Sequence, residues 1–251
     1  MNLIWVMPAK GVDVPHGHDI WVTGASLRLG DDPPVDVLGG VDLHAAGGEV
    51  TAIVGPSGCG KSTLLDAIAG LVPLEHGTVR TGGDVALMPQ RDALMPWLTL
   101  HENVAMGARL GGTGTDAADD AAADALERLG LTGFARHYPH ALSGGMRQRG
   151  ALARTLLSRR STWLLDEPFG ALDALTRSDM HGVLRHLHAE ARPTILLVTH
   201  DIGEAVALAG RVLVAGPRPM RIVDAIPVDA SEPQATASAV MDALRRAGAV
   251  A

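Results

Sequence analysis

The sequence predicts an α/β fold: a mainly parallel sheet, an antiparallel β patch ahead of it, and a helical subdomain inserted into it. Three observations carry that expectation. Short apolar runs at Val50 to Val54, Val85 to Met88, Thr162 to Leu165, Thr194 to Val198 and Arg211 to Val214 alternate with longer helix-compatible stretches, as buried parallel strands joined by crossovers do. The first of these runs leads through a Gly-rich segment into an apolar helix, Thr63 to Leu71. Between Arg91 and about Arg159 the strand signal disappears and the text turns helical and alanine-rich, as in Asp116 to Leu126.

The remaining elements follow in order. Ile20 to Leu29 and Val35 to Leu43 read as extended segments separated by the turn chemistry of Gly30-Asp31-Asp32-Pro33-Pro34, which predicts the antiparallel patch. Gly111 to Gly114 is a flexible break within the helical stretch. Gly216-Pro217-Arg218-Pro219 reads as a turn between two short strand-like runs, and Ser231 to Ala251 as a tail able to form one helix. There is no internal repeat.

Composition narrows the class. With 47% hydrophobic residues, 30 Gly and 15 Pro in 251 residues, the chain can build a core and is neither collagen-like nor disordered. A single cysteine excludes an internal disulfide, and the longest run without Asp, Glu, Lys or Arg is the eleven residues Val50 to Gly60, where a membrane span needs about twenty apolar ones. Met1 to Ala9 is apolar but carries no preceding basic residue and lacks the length of a signal peptide, so a reducing, cytosolic location is expected. The net charge of −7, with only Lys10 and Lys61 as lysines, argues against a nucleic-acid partner.

Gly55-Pro56-Ser57-Gly58-Cys59-Gly60-Lys61-Ser62-Thr63 matches the P-loop pattern in full, with a strand before it and a helix after it. Its glycines let backbone N–H groups wrap toward phosphate oxygens, the helix adds its positive N-terminal end, Lys61 reaches the β and γ phosphates, and Ser62 is expected on Mg²⁺. Cys59 sits near a helix N-terminus, where a thiol can be reactive, but reads better as a small residue that fits the loop. A Mg²⁺–ATP site also needs carboxylates, and Trp163-Leu164-Leu165-Asp166-Glu167 supplies two at the end of an apolar strand. Asp166 is expected to hold Mg²⁺ through water and Glu167 to orient and polarise the attacking water. The other histidines, His16, His18, His181, His186 and His188 among them, show no ligand set at metal spacing, so no structural metal is expected.

Leu142-Ser143-Gly144-Gly145-Met146-Arg147-Gln148-Arg149, beginning 24 residues before Asp166, resembles the signature of the nucleotide-binding subunits of ABC transporters. The resemblance spans nearly the whole chain in the family's order: the P-loop, Gln90, the signature, Asp166-Glu167, Gly170-Ala171-Leu172-Asp173, and His200. It implies the ABC ATPase fold as a single domain over 1–251, with a RecA-like core about 20–90 and 160–228, a helical subdomain about 91–159 and a C-terminal tail 229–251. Gln90 resembles the glutamine that touches Mg²⁺ and the lytic water and links the site to the transmembrane partner, and His200 resembles the switch histidine on the γ-phosphate. Ser143, Gly144 and Gly145 resemble the residues that cap the ATP of the opposite subunit in a head-to-tail homodimer, and Asp173 the residue through which the two sites communicate.

Three positions depart from the family pattern. Leu29 stands where an aromatic normally stacks on adenine, with Trp5 and Trp21 as candidates to take its place. Met146 replaces a common Gln, and Gly170 a common Ser. The wording Asp92 to Val104, Glu167 to Arg177 and Gly216 to Pro219 is similar to ATPases of nitrate, sulfonate, taurine and thiamine-precursor importers. Met95, Pro96 and Trp97 are candidates for the wall of the socket that receives the membrane subunit. The resemblance implies an ATPase at the cytoplasmic membrane face that drives import through two transmembrane permease subunits fed by an extracytoplasmic solute-binding protein. An exporter ATPase and a soluble, non-transport ABC ATPase are the alternatives.

Overall fold

The computed structural model describes residues 17–249. Met1 to Ala9, Trp5, His16 and the last two residues of the tail lie outside the described residues. The chain starts with β1 (Ile20–Leu29), β2 (Val35–Ala45) and β3 (Val50–Val54), then α1 (Lys61–Ile68), β4 (His76–Thr81) and β5 (Val85–Met88). Three helices follow, α2 (Leu100–Leu110), α3 (Thr115–Arg128) and α4 (Gly144–Leu156), and then β6 (Thr162–Asp166), α5 (Ala174–Ala191), β7 (Thr194–Val198), α6 (Ile202–Leu208), β8 (Arg211–Ala215), β9 (Ile222–Pro227) and α7 (Pro233–Arg246). The described residues form two compact units, one of 17–90 with 161–249 and one of 91–160.

In the larger unit, six strands run in the order β5-β6-β7-β3-β8-β9. All neighbours are parallel except β8 and β9. The strands β3, β6 and β7 are buried at every residue, which is why they read in the sequence as unbroken apolar runs rather than as alternation. A second, antiparallel sheet has the order β2-β1-β4. Between the two sheets lies a core in which Ile20, Val22, Leu27, Val41 and Leu43 meet Leu64, Leu65 and Ile68 of α1 and Leu164, Leu196 and Val198 of the parallel sheet. Each such side chain contributes about 1.5–3 kcal/mol of burial, so α1 is held firmly from both sides.

One strand escapes sequence reading. β4, His-Gly-Thr-Val-Arg-Thr, buries none of its residues fully and carries no apolar run or clear alternation, yet it pairs with β1 from Ile20↔Thr81 to Ser26↔His76. Its strand character comes from the unsatisfied edge of β1, a tertiary cause. The helix after the Gly-rich loop also starts earlier than its apolar stretch suggests, at Lys61, because Gly60 supplies its N-cap.

The smaller unit packs α2 against α3 and α4. Thr99 and Glu102 form a reciprocal capping box at the start of α2: the Thr99 Oγ1 accepts from Glu102 N at 3.3 Å and Glu102 Oε2 accepts from Thr99 N at 2.7 Å. Asn103, fully buried, staples the preceding segment. Its Oδ1 accepts from Met95 N at 2.7 Å while Nδ2 donates to the carbonyls of Met95, Leu98 and Thr99.

Candidate functional site

Parallel strands deliver their C-terminal ends to one edge, the usual place for a site in such sheets. Here β3 ends into Gly55, β5 runs on to Gln90, β6 ends in Asp166-Glu167 and β7 runs on to Thr199-His200. The register makes this a true edge, since Met88 pairs with Leu165, Asp166 with Val198 and Ile53 with Val198. Four motifs scattered between Gly55 and His200 thus become neighbours through strand order alone.

Two glycines of the loop have steric reasons. A Cβ on Gly55 would lie 2.8 Å from the Cβ and carbonyl oxygen of Ala215, and Gly60, at φ 126°, would place one 3.0 Å from the Val37 carbonyl oxygen. The loop is therefore pressed between β8 and β2 and exposes its backbone inward. Lys61 is buried, and its Nζ donates to the carbonyls of Gly55 and Pro56, both at 2.9 Å, so the ammonium already lies inside the loop's curve. Ser57 and Gly58 are exposed, Cys59 is buried and Ser62 is exposed at the first turn of α1. Cys59 N donates to the Pro56 carbonyl, closing a turn within the loop, and the thiol's burial fits a packing role. Thr63 lies one residue further along α1, half-buried.

Asp166 is 4% exposed. Burial raises its pKa above the ordinary carboxylate value, a hydrogen bond from Ser62 opposes the rise, and the neighbouring Glu167 charge adds to it. A buried carboxylate beside a serine hydroxyl and a second carboxylate is a set of hard oxygens that suits a divalent cation, so these residues fit Mg²⁺.

Glu167 is the centre of the remaining geometry. Its Oε2 accepts from Gln90 Nε2 at 3.2 Å, and its Oε1 lies 3.3 Å from His200 Nδ1. Its backbone sits in the left-handed region at φ 48°, with its N–H donated to the Val198 carbonyl at 2.8 Å. A non-glycine residue held there costs on the order of 1 kcal/mol or more, and the β7 hydrogen bond enforces it. The result is a carboxylate turned off the end of β6 toward Gln90 and His200. Such a carboxylate can take a proton from, and aim, a water molecule.

The other residues singled out in the sequence fall as follows. Asp173 caps α5, accepting from Leu175 N, Thr176 N and Thr176 Oγ1, and these bonds hold its carboxyl below the usual range. In the smaller unit, Ser143 caps α4 by accepting from Met146 N at 3.2 Å, and Gly144 and Gly145 are the first two residues of that helix, where N–H groups have no intrahelical acceptor. Arg147 and Arg154 of α4 hold the segment after Gln90, through Asp92 and the carbonyls of Asp92 and Ala93. Trp97 stands on that segment 70% exposed, which a socket wall requires.

Leu29 is exposed and pairs across the hairpin with Val35, also exposed. Val35 is two residues, about 7 Å of strand, from the Val37 that touches the loop at Gly60. Sequence reading found Leu29 and missed Val35. Trp21 does not take the missing aromatic's place: it lies eight residues earlier on β1, roughly 26 Å away, and stacks on His44 with centroids 3.8 Å apart. Arg218 was legible only as part of a turn. The pairing of β2 with the turn, Gly39 N to the Met220 carbonyl and Met220 N to the Val37 carbonyl, carries it to the P-loop, where its guanidinium donates to the Gly58 carbonyl.

Comparison with known proteins gives the family of this chain. The family model described as "ABC transporter" matches residues 38–170. An aliphatic sulfonates import ATP-binding protein, SsuB 1 of Pseudomonas syringae pv. syringae, is 47% identical over 200 residues, covering 79% of this chain and 82% of the relative. The taurine import ATP-binding protein TauB of Burkholderia thailandensis is 43% identical over 214 residues, covering 82% and 81%. Among solved structures, the ATP-binding cassette MJ0796, a dimer in a post-hydrolysis state bound to ADP and Pi, superposes with a TM-score of 0.77 at 27% identity, over 84% of this chain and 99% of that one. With a phosphate loop, a paired Asp166-Glu167 edge and this likeness over most of its length, the chain belongs to the ABC transporter family, as one of its ATP-hydrolysing cassettes.

Proposed function

We propose that this chain energises the import of a small aliphatic sulfonate, taurine or a close relative, as the ATPase of a transporter whose membrane path belongs to other subunits. The observation that carries the substrate class is the 43–47% identity, over most of the chain, to import ATPases named for aliphatic sulfonates and taurine. Among the described residues no helix is long and apolar enough to cross a membrane, which fits a motor docked on separate permeases at the cytoplasmic face. Trp97 and its stapled segment are the docking element in this reading. A solute-binding protein outside the membrane completes the system.

In the hydrolytic cycle, backbone N–H groups of the loop from Gly55 to Thr63, Pro56 and Cys59 excepted, and the Lys61 ammonium bind the phosphates, and α1 adds its N-terminal field. Ser62, Asp166 and Gln90 are the groups that would hold Mg²⁺, which would supply positive charge against the charge that builds on the phosphates during transfer. Glu167 takes the proton of the attacking water, with Gln90 and His200 fixing the carboxylate's two oxygens, and His200 presents its other ring nitrogen to the γ-phosphate. Ser143, Gly144 and Gly145 offer a helix N-terminus to the ATP of a second copy, and Asp173 lies on the loop that faces that copy. Two ATPs are sandwiched in the dimer.

The substrate reading is tested by growth. A strain lacking this chain is expected to lose growth on an alkanesulfonate or taurine as sole sulfur source and to keep it on sulfate; unchanged growth on every sulfonate overturns it.

The base is recognised weakly in this reading. Leu29 and Val35 offer apolar contact but no donor or acceptor side chain, so the roughly 0.5–1.5 kcal/mol of aromatic stacking is absent and the purine edges go unread. GTP is expected to be hydrolysed with kcat/KM within about tenfold of ATP. Steady-state rates with both nucleotides check it, and a hundredfold preference for ATP would show a specific base contact elsewhere.

A further inference from the structure

We propose that Arg177 is a positioning residue that ties the loop carrying Glu167 and Asp173 to the loop carrying His200, so that the two halves of the hydrolytic pair are aligned together. The inference rests on reading Glu167 and His200 as that pair. It concerns a residue that closes the Glu167 to Arg177 stretch and to which no role is given above.

Arg177 lies one turn into α5, whose N-terminus Asp173 caps. Its Nη2 donates to the Leu172 carbonyl at 3.0 Å, inside the segment from Glu167 to Asp173. Its Nη1 donates to Asp201 Oδ2 at 3.3 Å, and Asp201 directly follows His200. Asp201 is itself fixed at both ends: its Oδ1 accepts from Glu204 N at 3.1 Å as the cap of α6, and its N–H donates to Thr199 Oγ1 at 3.0 Å. The guanidinium therefore bridges two rigid points, one on each loop.

A second crossing lies beneath it. His181 is four residues after Arg177 and so on the same face of α5; its Nε2 is 3.8 Å from Glu204 Oε2. Glu204 is three residues after Asp201 on the facing side of α6. Phe169, fully buried two residues after Glu167, packs edge-on against the His181 ring with centroids 5.0 Å apart. Arg177 and His181 together thus lie against both the 167–173 segment and the 201–204 segment: the guanidinium hydrogen-bonds each, and the His181 ring packs on Phe169 with its buried Nε2 making no hydrogen bond, 3.8 Å from Glu204 Oε2. Arg177 Nε is buried without an acceptor, an arrangement that costs stability and marks the two outer nitrogens as the reason for the guanidinium's place. Two loops with a common rigid tie cannot shift independently, and a misplacement of about 1 Å between reacting groups can cost as much as 100-fold in rate.

The test uses the whole chain. Arg177→Gln and Asp201→Asn are made singly and together, and each protein is assayed for ATP turnover and for binding of a fluorescent ATP analogue. Asparagine remains a good helix cap, so Asp201→Asn removes the charge seen by Arg177 and leaves α6 capped. Each single variant is expected to lose about tenfold or more in kcat with KM and analogue affinity within twofold of wild type, and the double variant to be no worse than the more impaired single one, as for groups acting as a unit. Wild-type kcat in Asp201→Asn, or multiplicative losses in the double variant, overturns the inference. Should Arg177→Gln fail to fold, Asp201→Asn alone decides by the same kcat criterion. Failure of the hydrolytic reading itself would appear separately, as retained turnover in Glu167→Gln.

Discussion

Replacing Glu167 by glutamine is expected to abolish steady-state ATP turnover, by about 10²- to 10⁴-fold, the range spanned by general-base contributions, while ATP binding survives. The substitution preserves shape and leaves a carbonyl oxygen able to accept from Gln90 Nε2, now 3.2 Å from Glu167 Oε2. What it removes is the charge that attracts a water proton. The strained backbone at φ 48° is unaffected, because the β7 carbonyl that enforces it bonds the main chain. The phosphate loop and Lys61 are untouched, so nucleotide still binds and, with hydrolysis stopped, holds two copies together. Phosphate release and size-exclusion chromatography with Mg²⁺–ATP measure both effects. Wild-type phosphate release in Glu167→Gln would refute the role given to this carboxylate.

Arg177→Gln should resemble Glu167→Gln only in part. It leaves the base in place and loosens its alignment with His200, so turnover falls less, and ATP should not trap the dimer as firmly. The comparison separates chemistry from positioning, which a single variant at either residue does not.

The two features of this chain most legible in sequence were those with local physical causes. The buried parallel strands announce themselves because both faces are covered, and the P-loop because its glycines and lysine act at fixed spacing within nine residues. The fold class read from them holds. The β4 strand was not legible because its cause is the neighbouring edge of β1 and not its own residues. In the site, Asp166 and Glu167 were legible as a carboxylate pair at the end of an apolar strand, whereas Gln90 and His200 were identified only by resemblance to ordered motifs; it is strand order that makes the four neighbours. Asp201 and Val35 were not singled out, and Arg177 and Arg218 were legible only as members of the Glu167 to Arg177 and Gly216 to Pro219 stretches. Each contacts the site through a hairpin, a turn or a helix cap, with no motif of its own to mark it. Only 3% of the chain is aromatic, and the hairpin at Leu29 and Val35 likewise presents two aliphatic side chains to solvent.

Replacing Lys61 by alanine is expected to weaken ATP binding by about 10²-fold, an effect opposite in kind to that of Glu167→Gln. The ammonium is buried and held by two loop carbonyls at 2.9 Å, so it is already in place before nucleotide arrives and its ordering cost is met in folding. Two of its three N–H donors lie on those carbonyls, so one is left for the phosphates; a charge-assisted hydrogen bond contributes roughly 1.5–3 kcal/mol, and the upper end of that range corresponds to about a hundredfold loss. Arginine is not a substitute, since its planar fork is too wide for a slot that leaves this side chain only 6% exposed. Titration of a fluorescent ATP analogue measures the affinity directly. Thermal unfolding gives an independent reading: a ligand at 100 times its Kd stabilises the folded state by about 2.7 kcal/mol, so wild type and Glu167→Gln should both melt several degrees higher in Mg²⁺–ATP, and Lys61→Ala should not. If Lys61→Ala shows the same nucleotide-dependent rise as wild type, the phosphate does not reach this lysine, and the loop of Gly55 to Thr63 is not where ATP is held.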